Sequence, residues 1–262
     1  MGTVKQLGDN KLKVTLMSVC RIAGYEPLED TPVTEYEPLE NNPVTECESH
    51  EDNQIKETSN INTQKLANNL ARARTKINEL ALCNPWDYFV TLTIDKSKYD
   101  RYNLKIYYHD FAEFIHNLNK HRSKENKIKY LLIPEMHKDG AWHMHGLFHG
   151  LHDDDLCVNK NGYLSWEKYE KKFGYISLGY VKDKDKVSSY IVKYITKDVG
   201  KNVTELGCHL YYASKGLKKA EILYRGHLEL LCPWDYEHPD GYCKIKIFDI
   251  RTDNYTDYLI LR

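Results

Sequence analysis

Two segments rich in β-forming residues, KIKYLLIPE (127–135) and AWHMHGLFH (141–149), stand on either side of Lys138-Asp139-Gly140. A turn that short permits only antiparallel pairing, because a parallel crossover needs a dozen or more residues. The chain therefore has a hairpin at its centre. Around it the hydrophobic period switches between helix and strand. QKLANNLARARTKINELALC (64–83) reads as an amphipathic helix stopped by Asn84-Pro85. DYFVTLTI (87–94) and YISLGYV (175–181) read as strands, and 103–121, 163–173 and 186–200 as helices, the last closed by Gly200. HLYYAS, ILYRG and CKIKIFDI suggest further short strands. This order is not a regular β-α alternation. The expected fold class is α+β, a central antiparallel β-sheet flanked by helices.

Charge divides unevenly along the chain. Residues 1–62 hold five Lys and Arg against twelve Asp and Glu, and residues 63–262 hold 32 against 26. Residues 1–62 read as an acidic, weakly ordered segment, with at most a short strand or helix over 10–23. Residues 63–262 read as the folded domain with a C-terminal extension. Inside the acidic segment YEPLEDTPVTE (25–35) is followed at once by YEPLENNPVTE (36–46). Units this short, each with two prolines, cannot bury a core, so the duplication implies an extended tail. A basic body suits a polyanionic partner. Seven cysteines without a C-x-x-C pair point to reduced thiols rather than a zinc ribbon. No apolar run approaches the ~18 residues of a membrane span, and MGTVKQ lacks a signal-peptide pattern. The expectation is a soluble, cytoplasmic protein with no membrane partner.

Residues i and i+2 of a strand share a face, so His143 and His145 project together. Paired imidazoles are ligands for a divalent metal. Pairing across the hairpin brings Glu135 close to His143. Two imidazoles and one carboxylate leave coordination positions open, as a catalytic metal requires. His137 and His149 share the strand parity and are spare candidates. Other H-x-H chemistries fit less well: Leu147 stands where a metallo-β-lactamase-like site needs an acid, and no second H-x-[ST] suits a two-histidine phosphodiesterase.

In SSYIVKYITKD (188–198), Tyr190 and Tyr194 are four apart and so share one helix face. Lys193 and Lys197 each follow a tyrosine by three. Phenols interleaved with ammonium groups suit attack on phosphate, because the lysines stabilise the phenolate and the pentavalent phosphorane.

FVTLTI (89–94), WHMHGL (142–147) and YIVKYITKD (190–198), in that order, resemble the three motifs of the HUH endonucleases. More closely, they look like the two-tyrosine rolling-circle replication initiators of small phages and plasmids. The lead-in RARTKINELALCNPWDYFVTLT and the later YYASKGLKKAEI also look like phage and prophage replication proteins, so the resemblance covers roughly 64–230. It implies an HUH or RRM-like, ferredoxin-like sandwich. It implies Mg²⁺ or Mn²⁺ held by His143, His145 and Glu135, with Tyr190 and Tyr194 as nucleophiles on single-stranded DNA at a replication origin. A host polymerase and helicase would act with it, since the chain has no P-loop of its own. Lys127, Lys129, Trp142, Lys182 and Lys184 are candidate DNA contacts. Two rival readings stand beside this one: a relaxase or transposase-type strand transferase, and an origin-binding protein without catalysis.

Overall fold

The computed structural model describes residues 1–17, 69–160, 162–183, 186, 190–191, 209–239, 241 and 243–262. In chain order the strands are β1 (Gly2–Leu7), β2 (Lys11–Met17), β3 (Tyr88–Thr93), β4 (Lys129–Met136), β5 (Trp142–His149), β6 (Cys157–Val158), β7 (Leu164–Ser165), β8 (Ile176–Tyr180), β9 (Tyr212–Ala213), β10 (Glu221–Gly226), β11 (Leu228–Leu230), β12 (Tyr236–Glu237), β13 (Cys243–Asp249) and β14 (Leu259–Leu261). The longer helices are α1 over 69–83, α2 (Leu104–Asn119) and α3 (Glu167–Lys172). The class is α+β. Two five-stranded antiparallel sheets carry it, ordered β8-β3-β5-β4-β9 and β10-β1-β2-β13-β12.

The first sheet is built around the hairpin β4–β5. β3 lies on the other side of β5, which places β5 at the sheet's centre. In β3 burial alternates residue by residue, so Tyr88, Val90 and Leu92 face one side and Phe89, Thr91 and Thr93 the other. The first side packs with Phe148 and Met144 against Tyr107, Phe111 and Ile115 of α2 and against Trp166, Tyr169 and Phe173. The helix residues fall at i, i+4 and i+8, the stripe of an amphipathic helix. Each such side chain stabilises the fold by ~1.5–3 kcal/mol when fully buried. Asn103 caps α2, its side chain accepting from the Ile106 N–H at 3.2 Å. On the opposite face, Leu131, Ile133 and Leu147 pack with Ile77, Leu80 and Ala81 of α1, with Trp86 and with Ile191. That cover lies over Leu131, Ile133 and Leu147; farther along the same face Thr91, Thr93, His143 and His145 are half-buried.

Asn84 ends α1 as its sequence implies. Its side-chain amide donates to the Leu80 and Lys218 carbonyls, both at 2.9 Å, and its carbonyl accepts from Lys218 N. The segment 163–173 is helical over less than expected, because Leu164–Ser165 pairs with β6 before α3 begins.

The expectation of weak order over 1–62 does not hold for residues 1–17. They form the hairpin β1–β2, which pairs with β10 on one side and β13 on the other. Val4, Leu12, Val14 and Phe248 make its core. The partners lie at the far end of the sequence, so nothing local announces them. The acidic repeat at 25–46 falls outside the described residues. The second sheet meets the first through α1: Leu7 packs on Leu82 and Cys83. Glu79 Oε1 there lies 2.8 Å from Lys5 Nζ and 3.5 Å from Lys13 Nζ. Burial lowers the Lys13 pKa, and the Glu79 carboxylate opposes that shift. Among the described residues no helix is long and apolar enough to cross a membrane.

Candidate active site

Register assembles the site. Across β5, His143 stands opposite Thr93 of β3 and Glu135 of β4, and His145 opposite Thr91 and Ile133. Directly opposed residues share a face, so the two threonines and Glu135 flank the two imidazoles. Thr91 Oγ1 lies 3.0 Å from His145 Nδ1, and Thr93 Oγ1 3.3 Å from His143 Nδ1. With Nδ1 engaged in both rings, Nε2 is the nitrogen presented for ligation. Glu135 Oε2 lies 2.5 Å from His145 Nε2. Glu135 is thus opposite His143 in register, as the hairpin implies, but its carboxylate reaches diagonally to His145.

The His143 ring stacks on that of His137, centroids 3.8 Å apart. Burial first, then the neighbouring His137 and His145, pushes the His143 pKa down to about 4. The ring is therefore neutral at pH 7, the form that ligates a metal. Gly146 completes the arrangement. A Cβ there would sit 2.4 Å from the Leu131 carbonyl oxygen and 2.4 Å from Leu132 Cδ2. Only glycine lets β4 and β5 close at this point, one residue beyond His145.

The donor set fits a divalent cation. Two imidazoles and a carboxylate suit such an ion, and a threonine hydroxyl both donates and accepts. Thr91 can therefore hold His145 Nδ1 whether the proton sits on Nδ1, with Nε2 given to a metal, or on Nε2, donated to Glu135. A change of tautomer costs no hydrogen bond at Thr91.

Tyr190 is helical and 44% exposed. Its ring meets Phe89 edge-on at 5.2 Å, and Phe89 stacks on His145 at 6.3 Å. Ile191 beside it is fully buried against α1 and the sheet, which pins this turn of helix to the site face.

The model of the family Replication-associated protein ORF2/G2P matches residues 87–199. That segment is similar to this replication-associated family. It runs from β3 past Tyr190 and contains every residue assigned above to metal binding or catalysis. No curated protein and no solved structure matches the chain.

Within the ORF2/G2P segment not every candidate joins the site. Tyr194, Lys193, Lys197 and Lys184 fall outside the described residues. His149 lies about 13 Å along β5 from His145, with its Nδ1 3.0 Å from Asp87 Oδ2. Lys127 and Lys182 are exposed, and Lys129 and Trp142 half-buried. Among the described residues, the one trio of metal-type side chains whose donor atoms all lie within 4.8 Å of one another is His109, Asp110 and Glu113 on the outer flank of α2, where His109 Nδ1 lies 3.1 Å from Asp110 Oδ1; His143, His145 and Glu135 are less closely gathered. Thr91, Thr93 and Phe89 are the site residues that reading by type passes over. Their signal was available in FVTLTI, where two threonines alternate on the face of a strand that pairs with the histidines.

Proposed function

We propose that this protein initiates rolling-circle DNA replication by metal-dependent nicking and joining of single-stranded DNA at an origin. The observation that carries the proposal is the run of ring contacts from Tyr190 through Phe89 to His145. It links a half-exposed phenol to the sheet face bearing His143 and Glu135, inside a segment of replication-associated type.

In this reading His143, His145 and Glu135 hold Mg²⁺ or Mn²⁺, which when bound polarises the scissile phosphate. The Tyr190 oxygen attacks phosphorus in line. The bond from tyrosine oxygen to phosphorus forms as the bond from phosphorus to the 3′ oxygen breaks. The phenol loses its proton and the departing 3′ oxygen gains one. The 5′ end stays linked to tyrosine, and the free 3′ hydroxyl primes a host polymerase while a host helicase opens the duplex. Tyr194, four residues on in the sequence, attacks the regenerated origin and releases the first tyrosine. Lys193 and Lys197 stabilise the phenolate and the phosphorane. The phosphotyrosine diester conserves the energy of the bond it replaces, so joining needs no ATP.

The test is a cleavage assay with Mn²⁺ and single-stranded oligonucleotides from the protein's own replicon, followed by mass spectrometry of the tryptic digest. The expected result is a DNA adduct on Tyr190 or Tyr194 that is lost with EDTA or in His143→Ala. Origin binding without any adduct would overturn the nicking reaction and leave a DNA-binding protein.

A further inference from the structure

We propose that Tyr175 is a stacking platform for a base next to the scissile phosphate, on the histidine-bearing face of the first sheet. The proposal rests on the reading that this face takes single-stranded DNA.

Position comes first. β8 is an edge strand, paired to β3 with Thr91 opposite Ser177 and Phe89 opposite Gly179. The Thr93 N–H continues this ladder by donating to the Tyr175 carbonyl at 2.9 Å. Burial alternates along the strand, with Ile176 and Leu178 buried and Tyr175, Ser177 and Gly179 exposed. Ile176 and Leu178 enter the core with α2, so Tyr175 projects to the other face, the one carrying His143 and His145. From β8 to β5 is two strand spacings, roughly 10 Å. A nucleotide adjoining the phosphate at the histidine pair spans that distance.

Rigidity comes next. Gly174 has φ +147°, and a Cβ on it would sit 2.4 Å from Thr93 O and 2.6 Å from Asp95 N. The Asp95 N–H donates to the Phe173 carbonyl at 2.9 Å, and Phe173 is fully buried. Tyr175 is thus clamped at its backbone on both sides while the residue as a whole is 48% exposed. An anchored, solvent-facing ring loses little freedom when a base stacks on it. Beside it the floor is low: Ser177 is small, and a Cβ on Gly179 would meet nothing within 4 Å. Among the described residues, a strand of DNA crossing the sheet edge meets no bulky side chain at these two positions. The exposed tyrosine within β8, Tyr180, lies opposite Tyr88 and faces away from the histidines.

The experiment is fluorescence anisotropy of the full chain, in EDTA, with a 5′-labelled 12-residue oligodeoxythymidine and a fully abasic oligonucleotide of equal length. Stacking needs a base and phosphate contacts do not, so the pair separates the two. Tyr175→Ala is expected to lose roughly 5- to 150-fold in affinity for oligodeoxythymidine and to keep its affinity for the abasic strand. Tyr175→Phe is expected to bind both like the parent. Equal losses on both strands, no loss on either, or a Phe variant as weak as the Ala variant would each overturn the proposal. The assay contains no metal and reads no cleavage, so the stacking role stands or falls separately from nicking.

Discussion

Substituting Gly146 by alanine should be costly although alanine is the smallest possible change. The new Cβ would sit 2.4 Å from Leu131 O, where ordinary contact begins at 3.4 Å. β4 and β5 must therefore move apart by about 1 Å from a normal spacing of about 4.8 Å. The atom struck is backbone, held in the central ladder of the sheet, so it cannot swing aside. Overpacking of this kind costs ~1–3 kcal/mol, offset by ~0.5–1 kcal/mol because alanine loses less entropy than glycine on folding. A net loss of about 1–2 kcal/mol corresponds to a fall in Tm of roughly 2–8 °C for a domain of this size. Gly179→Ala is the control, since open space surrounds that position on the edge strand; its stability should change by no more than about 0.5 kcal/mol. Circular dichroism melts of the three proteins decide the matter. If Gly146→Ala melts with the parent, or both variants fall together, the steric argument is wrong.

Glu79→Ala leaves Lys13 buried without its carboxylate; urea unfolding should show a loss near the lower end of ~3–5 kcal/mol, because Lys5 is partly solvated, and a change under ~1 kcal/mol would contradict this. Thr91→Val removes the hydroxyl that orients His145; Mn²⁺ affinity by calorimetry should fall roughly 10–100-fold, and an unchanged affinity would show that the threonine does not position the ring. The His143 pKa lies at about 4, below the ordinary 6.5. Between those values the unfolded chain binds a proton that the folded one does not, so this group's contribution to stability is full above 6.5 and declines as pH falls toward 4. An NMR titration in EDTA should find the His143 ring midpoint near the lower value; a midpoint near 6.5 would mean the ring is more hydrated than its burial implies.

The sheet of the site was legible where its signals were local. The turn at Lys138–Gly140 and the strand pattern on either side were enough to put Glu135 opposite His143. Period 2 set His143 and His145 on one face, and Asn84-Pro85 marked the end of α1. The diagonal reach of Glu135 to His145 was not legible, because register fixes where backbones stand and rotamers fix where carboxylates go. The roles of Thr91 and Thr93 depend on β3 pairing with β5 across 54 and 50 residues of chain. The same holds more strongly for residues 1–17, whose strands pair with β10 and β13 at the far end.

By itself, then, the amino-acid order determined the α+β class, the central hairpin and the projection of the histidine pair, all carried by short-range periodicity and residue type. Tertiary structure alone decided which hydroxyls hold the imidazoles, which ring links Tyr190 to them and where Tyr175 stands. Those features arise from contacts between segments far apart in sequence, and such contacts form only when burial of the two sheet faces brings the segments together.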